Sequence, residues 1–341
     1  MIAAGRPMQR PQDARLLVID AEGAMSHAAR SRLADFLRRG DVLVANDAAT
    51  LPASLHGVHL SSGAPIEARL AGRSSLAHAD VRFAAVMFGA GDWRTRTEDR
   101  PRPPPLALGD RLRLGPLRAT VTGALGHARL VALEFEGDAD AVWAGIARHG
   151  RPIQYAYLER ALALWDVWTP IAALPVAFEP PSAGFALDWR SLSELRARGV
   201  TFATITLAAG ISSTGDPALD ARLPLDEPYR VPSATASAIH HAKAEHRRVV
   251  AVGTTVVRAL EHSEGTAGER VADQRIGPGT RLRVVDALLS GTHEPQESHY
   301  QLLRAFQDDR VLARAGAALE TARYRTHEFG DSVLVFSRAE R

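Results

Sequence analysis

The stretch VVAVGTTVVRALE, residues 249–261, indicates the fold class more clearly than any other part of the sequence. Its first four residues are apolar and predict a buried strand, Gly253 ends that strand, and Thr254 and Thr255 begin a helix. A strand that leads directly into a helix is the unit from which mostly parallel sheets with covering helices are built. The stretch therefore predicts an α/β fold.

The same alternation of strand and helix patterns continues on both sides of this stretch. Apolar runs predict strands at residues 15–20, 41–46, 201–207, 247–253, 281–289 and 331–336. Helical spacing of apolar residues is found at residues 189–200, 232–246, 254–262, 299–306 and 310–322. Together these segments predict a mostly parallel sheet domain made from residues 1–57 and 151–341.

The residues between these two parts have a different texture. Short segments of alternating polar and apolar residues, such as APIEARL and LRATVTGAL, are separated by Gly, Pro and polar turns. This pattern is typical of antiparallel strands that close into a small barrel. We therefore expect an inserted, antiparallel β-barrel-like module at residues 58–150.

The composition limits the class of protein. The chain has 341 residues, of which 46% are hydrophobic and 23% charged, and it has no cysteine. It therefore has no disulfide, no thiolate zinc site and no cysteine nucleophile, and we expect no metal. No apolar run approaches twenty residues, and the N-terminus has no secretory signal pattern, so we expect a soluble cytoplasmic protein.

The charge balance predicts no general affinity for nucleic acid. The net charge is only +2, from 41 basic and 39 acidic residues. A basic patch would have to be local, and the best candidate is a group of arginines beside prolines: Arg94, Arg96, Arg100 and Arg102. On composition alone, a solvated Arg/Pro-rich loop is the simpler interpretation.

Residues suited to chemistry follow several predicted strands. Gly253, Thr254 and Thr255 follow the first quoted strand, and His293 follows the strand at residues 281–289. Ligands in α/β sheets bind beyond the carboxyl ends of the strands, so these residues and the acidic turns at Asp47 and at residues 328–332 could share one rim. A capped helix and ordinary surface turns would explain each of them singly.

Taken together, these segments resemble the S-adenosylmethionine:tRNA ribosyltransferase-isomerase family of the queuosine pathway. The resemblance is carried, in the family's order, by RLLVID, GDVLVANDAATLPASL, PSAGFAL, VVAVGTTVVRALE, RLRVVDALLSGTHEPQESHYQLLRAF and YRTHEFGDSVLVF. It covers nearly the whole chain, including the inserted module. The segments around Gly253 and Asp286 are specific enough to indicate common descent.

The resemblance implies a reaction and a set of site residues. The family moves the ribosyl part of S-adenosylmethionine, its cosubstrate, to a 7-aminomethyl-7-deazaguanine base of tRNA, giving epoxyqueuosine and releasing adenine and methionine. By position, the residues that would hold the cosubstrate are Gly253, Thr254, Thr255, Arg258, Gly184 and Asp286. Those that would handle protons are His293, Asp47 and Asp331.

The sequence also departs from the family pattern at several cationic or histidine positions. Arginine, histidine or lysine of the family is replaced here by Ala49, Ser54, Ala186, Ala208, Leu225 and Gln296. Lost phosphate contacts would weaken tRNA binding, because such contacts supply much of the affinity for nucleic acid. Two alternatives therefore stand beside the family reaction: a related enzyme that cleaves S-adenosylmethionine for a non-tRNA acceptor, and a non-catalytic binding protein.

Overall fold

The computed structural model describes residues 1–6, 13–293 and 298–338. The strands, in chain order, are β1 Ile2–Ala3, β2 Arg15–Ile19, β3 Met25–Ala29, β4 Val42–Asn46, β5 Ala49–Thr50, β6 Ser54–His59, β7 Pro65–Gly72, β8 Arg82–Phe88, β9 Arg111–Leu114, β10 Leu117–His127, β11 Leu130–Phe135, β12 Pro175–Ala177, β13 Thr201–Leu207, β14 Glu227–Val231, β15 Val249–Val252, β16 Gly268–Ala272, β17 Ala287–Gly291, β18 Arg325–Thr326 and β19 Ser332–Phe336. The α-helices are α1 Ala139–His149, α2 Leu164–Val167, α3 Trp189–Ala197, α4 Pro217–Asp220, α5 Ser233–Ala244, α6 Thr254–Ser263, α7 Ser298–Leu303 and α8 Asp309–Thr321. Short 3-10 helices lie at Arg30–Phe36, Thr97–Asp99 and Ser182–Ala186.

The central element is a nine-stranded sheet with the order β16-β14-β13-β4-β15-β17-β19-β2-β3. Its middle strands β13, β4, β15 and β17 are parallel to one another. Every residue of β4 and β15 is buried, as expected for apolar strands that are covered on both faces. Parallel neighbours bring the carboxyl ends of these four strands to one edge of the sheet.

A closed antiparallel barrel with the strand order β10-β11-β8-β7-β6-β9 lies beside this sheet. In β9, the buried residues Leu112 and Leu114 alternate with exposed ones, so one face of that strand fills the interior, whereas β7 is buried at every residue after Pro65. The barrel core continues into the sheet core, where the ring of Phe83 lies 6.1 Å from that of Phe178, edge to face. The barrel therefore packs firmly against the loops that leave the sheet.

The predicted fold class, a mostly parallel α/β sheet with an antiparallel barrel-like module, is confirmed. The division into domains at residues 58 and 150 stays a prediction. Within residues 1–6, 13–293 and 298–338, no helix is long and apolar enough to cross a membrane.

The predicted strand at residues 281–289 is only partly correct, because β17 begins at Ala287. The carboxylate of Glu261 on α6 accepts hydrogen bonds from the backbone amides of Arg283, Val284 and Val285, at 2.8 to 3.0 Å. These amides are therefore satisfied by a side chain instead of a neighbouring strand. An apolar run does not reveal which partner its backbone will find.

Candidate active site

The loops at the carboxyl edge of the sheet form one rim. Strands β13, β4, β15 and β17 end at this edge, and the antiparallel strand β19 starts there, since Ser332 pairs with Gly291. We call this region the carboxyl-edge rim; it comprises residues 47–50, 208–213, 253–255, 292–293 and 327–331. Most of the residues that the sequence singled out lie on it.

Gly253 shapes the start of α6. Its φ of +98° lies in the region that favours glycine, and a Cβ atom here would lie 3.7 Å from the Cβ atom of Ala183. The beginning of α6 thus sits against the 3-10 helix that contains Gly184. Within the described part of the chain no side chain caps α6, so its first amides and the positive end of its dipole face this junction.

The carboxylate of Asp47, directly after β4, lies on the rim and is partly exposed. It accepts a hydrogen bond of 2.7 Å from the hydroxyl of Thr206 on the neighbouring strand β13. The buried amide of Asn46 bonds both the amide and the carbonyl oxygen of Leu207, at 3.0 and 2.9 Å. The ends of β4 and β13 are therefore held in a fixed relation, with Asp47 between them.

His293 follows β17 on the same rim and is partly exposed. Its Nε2 atom lies 2.8 Å from the hydroxyl oxygen of Ser290, and its ring stacks on that of His299 with 4.7 Å between centroids. The imidazole is thus oriented by a hydroxyl group and a second ring. Gln296, the residue that replaces the family's lysine, lies outside the described residues.

Asp331 also lies on this edge, but its carboxylate is fully engaged. It accepts hydrogen bonds from the backbone amides of Arg15 and Arg325, both at 2.8 Å, and from the guanidinium groups of the same arginines at 3.0 and 3.4 Å. Two guanidinium groups stabilise the charged form of a carboxylate. These contacts favour a structural role, in which Asp331 ties β2 to β19, and not the predicted role in proton transfer.

Two further predicted residues are not brought to the junction at Gly253. Asp286 lies at the amino end of β17, where its carboxylate accepts a hydrogen bond of 2.8 Å from the amide of Val249 and one of 3.1 Å from Lys243. The four residues of β15 separate it from Gly253 by about 13 Å at 3.3 Å per residue. The predicted contact of Asp286 with the cosubstrate is therefore corrected: it sits at the opposite edge of the sheet.

Arg258 is buried behind the rim. Its Nη1 atom donates to Glu227 at 2.6 Å, and its other nitrogens donate to the carbonyl oxygens of Ala272 and Gln274 at 3.0 and 3.1 Å. Glu227 in turn accepts a hydrogen bond of 2.9 Å from the amide of Gly210. Arg258 thus holds the loop after β13 in place, which corrects the prediction that it contacts the cosubstrate.

The sequence analysis missed an acidic and aromatic cluster on the rim: Glu179, Glu328, Tyr155 and Tyr157. The hydroxyl of Tyr155 donates to Glu179, and that of Tyr157 donates to Glu328. The two phenol rings are stacked with 6.0 Å between centroids. The only sequence signal was an isolated glutamate in the apolar stretch LPVAFEPP, directly before the PSAGFAL segment.

Glu179 is the acid of this cluster whose pKa is moved to neutrality. It is only 7% exposed, and its Oε2 atom accepts a hydrogen bond of 2.9 Å from the amide of Ser212. Burial raises the pKa of Glu179 to about 7, against the opposing effect of the hydrogen bonds from Ser212 and Tyr155, and the charge of Glu328 raises it further. A carboxyl group with this pKa exchanges a proton readily near neutral pH.

Glu179 and Glu328 both line a cavity of about 10 Å³, which is close to the smallest volume that holds one water molecule. A titrating acid, Glu179, therefore contacts the rim at Ser212. Among the residues that the structure describes, no three histidine, aspartate or glutamate side chains are grouped so as to hold a metal ion.

Comparisons with known proteins agree with this picture. The model of one family, described as queuosine biosynthesis protein, matches residues 1–335. The chain is 33% identical over 348 residues to the S-adenosylmethionine:tRNA ribosyltransferase-isomerase of Citrifermentans bemidjiense, with 98% of this chain and 96% of that protein covered. It is 33% identical over 357 residues to the protein of the same name from Sorangium cellulosum, with 98% and 95% covered.

One solved structure is similar along the full length. It is the crystal structure of an S-adenosylmethionine tRNA ribosyltransferase from Thermotoga maritima, with a TM-score of 0.52, 24% identity, and 98% of this chain and 96% of that chain covered. At this level of identity the likeness concerns the fold. It extends over both the sheet and the barrel.

Proposed function

Because the chain belongs to the family of queuosine biosynthesis proteins, we propose that it is a transferase and isomerase that uses S-adenosylmethionine and tRNA. It transfers the ribosyl part of the cosubstrate to a 7-aminomethyl-7-deazaguanine base and isomerises it to epoxyqueuosine, with release of adenine and methionine. The observation that carries the proposal is the family match over residues 1–335, which includes both the sheet and the barrel.

The junction between α6 and the 3-10 helix at Ser182–Ala186 is the proposed site of the cosubstrate. S-adenosylmethionine carries a carboxylate, and the uncapped amides at the start of α6 suit a negative group. Gly253 leaves room at this junction, where the small side chain of Ala183 and the hydroxyl of Thr255 are its neighbours, whereas Gly184 packs against the side chain of Thr169. Arg258 contributes as a positioning residue through Glu227 and Gly210.

The reaction needs a base for the proton beside the sulfonium and an acid for the departing adenine. We assign the first role to Glu179, because a buried carboxyl with a pKa of about 7 is half ionised at neutral pH. His293 and Asp47 remain the proposed groups for the second proton transfer. The ion pairs of Asp331 leave it the role of holding the rim together.

The direct test follows adenine and methionine by mass spectrometry after the protein is mixed with S-adenosylmethionine. The expected result is release that depends on tRNA carrying 7-aminomethyl-7-deazaguanine, together with a modified nucleoside. The matched control is the same tRNA with guanine at that position, which lacks the amine that accepts the ribosyl group.

The other outcomes separate the alternatives. Release of adenine without tRNA would indicate a related enzyme with another acceptor. Cosubstrate binding without release under any condition would indicate a binding protein. Neither binding nor release would contradict both enzymatic interpretations.

A further inference from the structure

A cleft of about 340 Å³ opens between the barrel and the segment that follows residue 213. One wall carries three arginines, Arg100, Arg102 and Arg129. The opposite wall carries Thr214, Gly215 and Asp216. The cleft is thus lined by polar groups, and most of its charged groups are guanidinium ions.

Two of the three guanidinium groups, those of Arg100 and Arg129, are held in position by their neighbours. Arg100 is only 2% exposed; its Nη1 atom donates to Glu67 at 2.5 Å, and Nη2 donates to the carbonyl oxygen of Gly91 at 3.0 Å. Arg129 donates to the carbonyl oxygen of Arg100 at 3.1 Å, and both arginines face the ring of Phe88 at 5.2 to 5.3 Å. Such packing fixes two positive charges at the base of the cleft.

Glu67 already offsets the charge of Arg100, and the acidic residues of the cleft do not fully offset the charges of Arg102 and Arg129. Asp216 lies 4.0 Å from Arg129 and 3.4 Å from His127, and Glu98 pairs with Arg96 at the edge. Arg102 is exposed and forms no hydrogen bond or ion pair with any residue that the structure describes. Burial lowers the pKa of Arg129, and the nearby charges of Arg102 and Arg100 lower it further, against the effect of Asp216. An anion in the cleft would relieve this repulsion.

We propose that this cleft binds a phosphate group of the RNA segment that carries the acceptor base. The inference rests on the proposed function. Guanidinium groups are the preferred partners of phosphate, to which they donate in a forked geometry. The cosubstrate is a poor occupant, because S-adenosylmethionine has no phosphate and its sulfonium group is repelled by arginine.

The position of the cleft relative to the rim supports this assignment. Thr214, which lines the cleft, directly follows Ser212 and Ser213 in the chain. The amide of Ser212 donates to Glu179, and the carbonyl oxygen of Ser213 lies 3.1 Å from the hydroxyl of Tyr155. Consecutive Cα atoms are only about 3.8 Å apart, so the cleft adjoins the proposed reaction site. A phosphate bound there would belong to a nucleotide near the reacting base.

The proposal also assigns a function to part of the group of arginines that lies beside prolines in the sequence. Positions where the family carries arginine or lysine are occupied here by Ala49, Ser54 and Gln296. Arg102 comes from the Pro-rich segment and, with Arg129, offers phosphate contacts from the barrel instead. Arg100 of the same segment is buried and donates to Glu67 and to the carbonyl oxygens of Gly89 and Gly91. Binding of RNA would then depend on this wall of the cleft.

The test measures the binding of a fluorescent anticodon stem-loop RNA at several salt concentrations. One variant is Arg102→Ala, which removes an exposed guanidinium group. The other is Arg129→Gln, which replaces the guanidinium group over the ring of Phe88 with a neutral amide. The matched control is Arg118→Ala, another exposed arginine of the barrel that lies outside the cleft lining. Thermal unfolding of each variant checks that it is folded.

We expect each cleft variant to bind the RNA about tenfold more weakly and to lower the slope of log K against log salt by about 0.7 to 0.9, the value for one lost phosphate contact. The Arg118→Ala variant should match the wild type. Equal affinity and slope in wild type and both cleft variants would overturn the inference while leaving the proposed function intact. Failure of the wild type to bind the RNA at all would overturn both the inference and the proposed function.

Discussion

Among the residues that the structure describes, three glutamates are buried: Glu67, Glu179 and Glu227. Two of them have contrasting surroundings, Glu67 in the barrel and Glu179 against the carboxyl-edge rim. Glu67 on β7 is 2% exposed and Glu179 is 7% exposed. Burial alone would raise the pKa of Glu67, but the charges and hydrogen bonds of Arg69, Arg100 and Ser54 together lower it. Glu179 has hydrogen bonds from a phenol and an amide but, among the residues that the structure describes, no ion pair with a cation, and its pKa is raised to about 7.

The opposite pKa shifts of Glu67 and Glu179 show that a buried glutamate can serve either structure or proton transfer. A buried carboxylate beside two guanidinium groups stays charged and holds those groups in position, and one of the two, that of Arg100, lines the cleft. A buried carboxyl group without a cation gains and loses a proton near neutral pH. We infer that the barrel uses its glutamate for structure and the rim uses its glutamate for chemistry.

The largest expected effect comes from Glu179→Gln. If Glu179 accepts the proton beside the sulfonium, this variant should lower kcat/KM for adenine release by about 10² to 10⁴, the usual contribution of a general base. The matched control is Glu159→Gln, an exposed glutamate paired with Arg6. Equal rates for both variants would remove Glu179 from the mechanism.

The same substitution in the barrel, Glu67→Gln, should act on stability instead. It leaves Arg69 and Arg100 buried without their counter-charge, so we expect the free energy of unfolding to fall by about 3 to 5 kcal/mol. Urea unfolding of both proteins measures this change in the free energy of unfolding. Ser54→Ala, which removes only the 2.8 Å hydrogen bond to Glu67, should cost about 1 kcal/mol. A Glu67→Gln variant as stable as wild type would contradict the structural role.

The pH dependence of stability should differ between wild type and Glu179→Gln. The folded protein has a pKa of about 7 at Glu179, whereas an unfolded glutamate has about 4.3, so the folded state binds more protons between these values. This group therefore destabilises the fold progressively as the pH rises from about 4.3 to 7. The glutamine does not titrate.

The stability of Glu179→Gln relative to wild type should accordingly increase by about 3 kcal/mol between pH 4 and pH 8. Denaturant unfolding at a series of pH values gives this difference directly. A difference that stays constant across the range would show that Glu179 titrates normally in the folded protein.

The smallest expected effect belongs to Tyr155→Phe. The phenol hydrogen bond lowers the pKa of Glu179, so its removal should raise that pKa and shift the rise of activity to higher pH. At pH 7 we expect kcat/KM to fall about fivefold, with recovery above pH 8. A loss that does not recover at high pH would point to a different role for Tyr155.

Much of the fold follows from the sequence because apolar runs such as residues 42–46 and 249–252 leave few alternatives to buried parallel strands. Parallel strands share a carboxyl edge, so the placement of Asp47, Gly253 and His293 on one rim also follows. Glu179 and Tyr155 meet only after folding, across 24 positions of the chain, and no local pattern marks them.

The errors at Asp286 and Arg258 have a common physical origin. The apolar residues before Asp286 suggested a strand, but Glu261 binds their amides and the strand starts after that aspartate. Arg258 lies one turn beyond Thr254, and the acid that binds its side chain comes from β14, a strand between β16 and β13 that the sequence pattern did not predict. In both cases a side-chain partner that is distant in sequence determines what the residue contacts.

The measurement that tests the central claim most directly is the pH profile of kcat/KM for tRNA-dependent adenine release by the wild-type protein. This quantity reports the ionisation of essential groups in the free enzyme. The expected result is a rise of about tenfold per pH unit below a pKa of about 7, followed by a plateau. A profile that is flat between pH 5.5 and pH 8 would contradict the assignment of Glu179 as the proton acceptor.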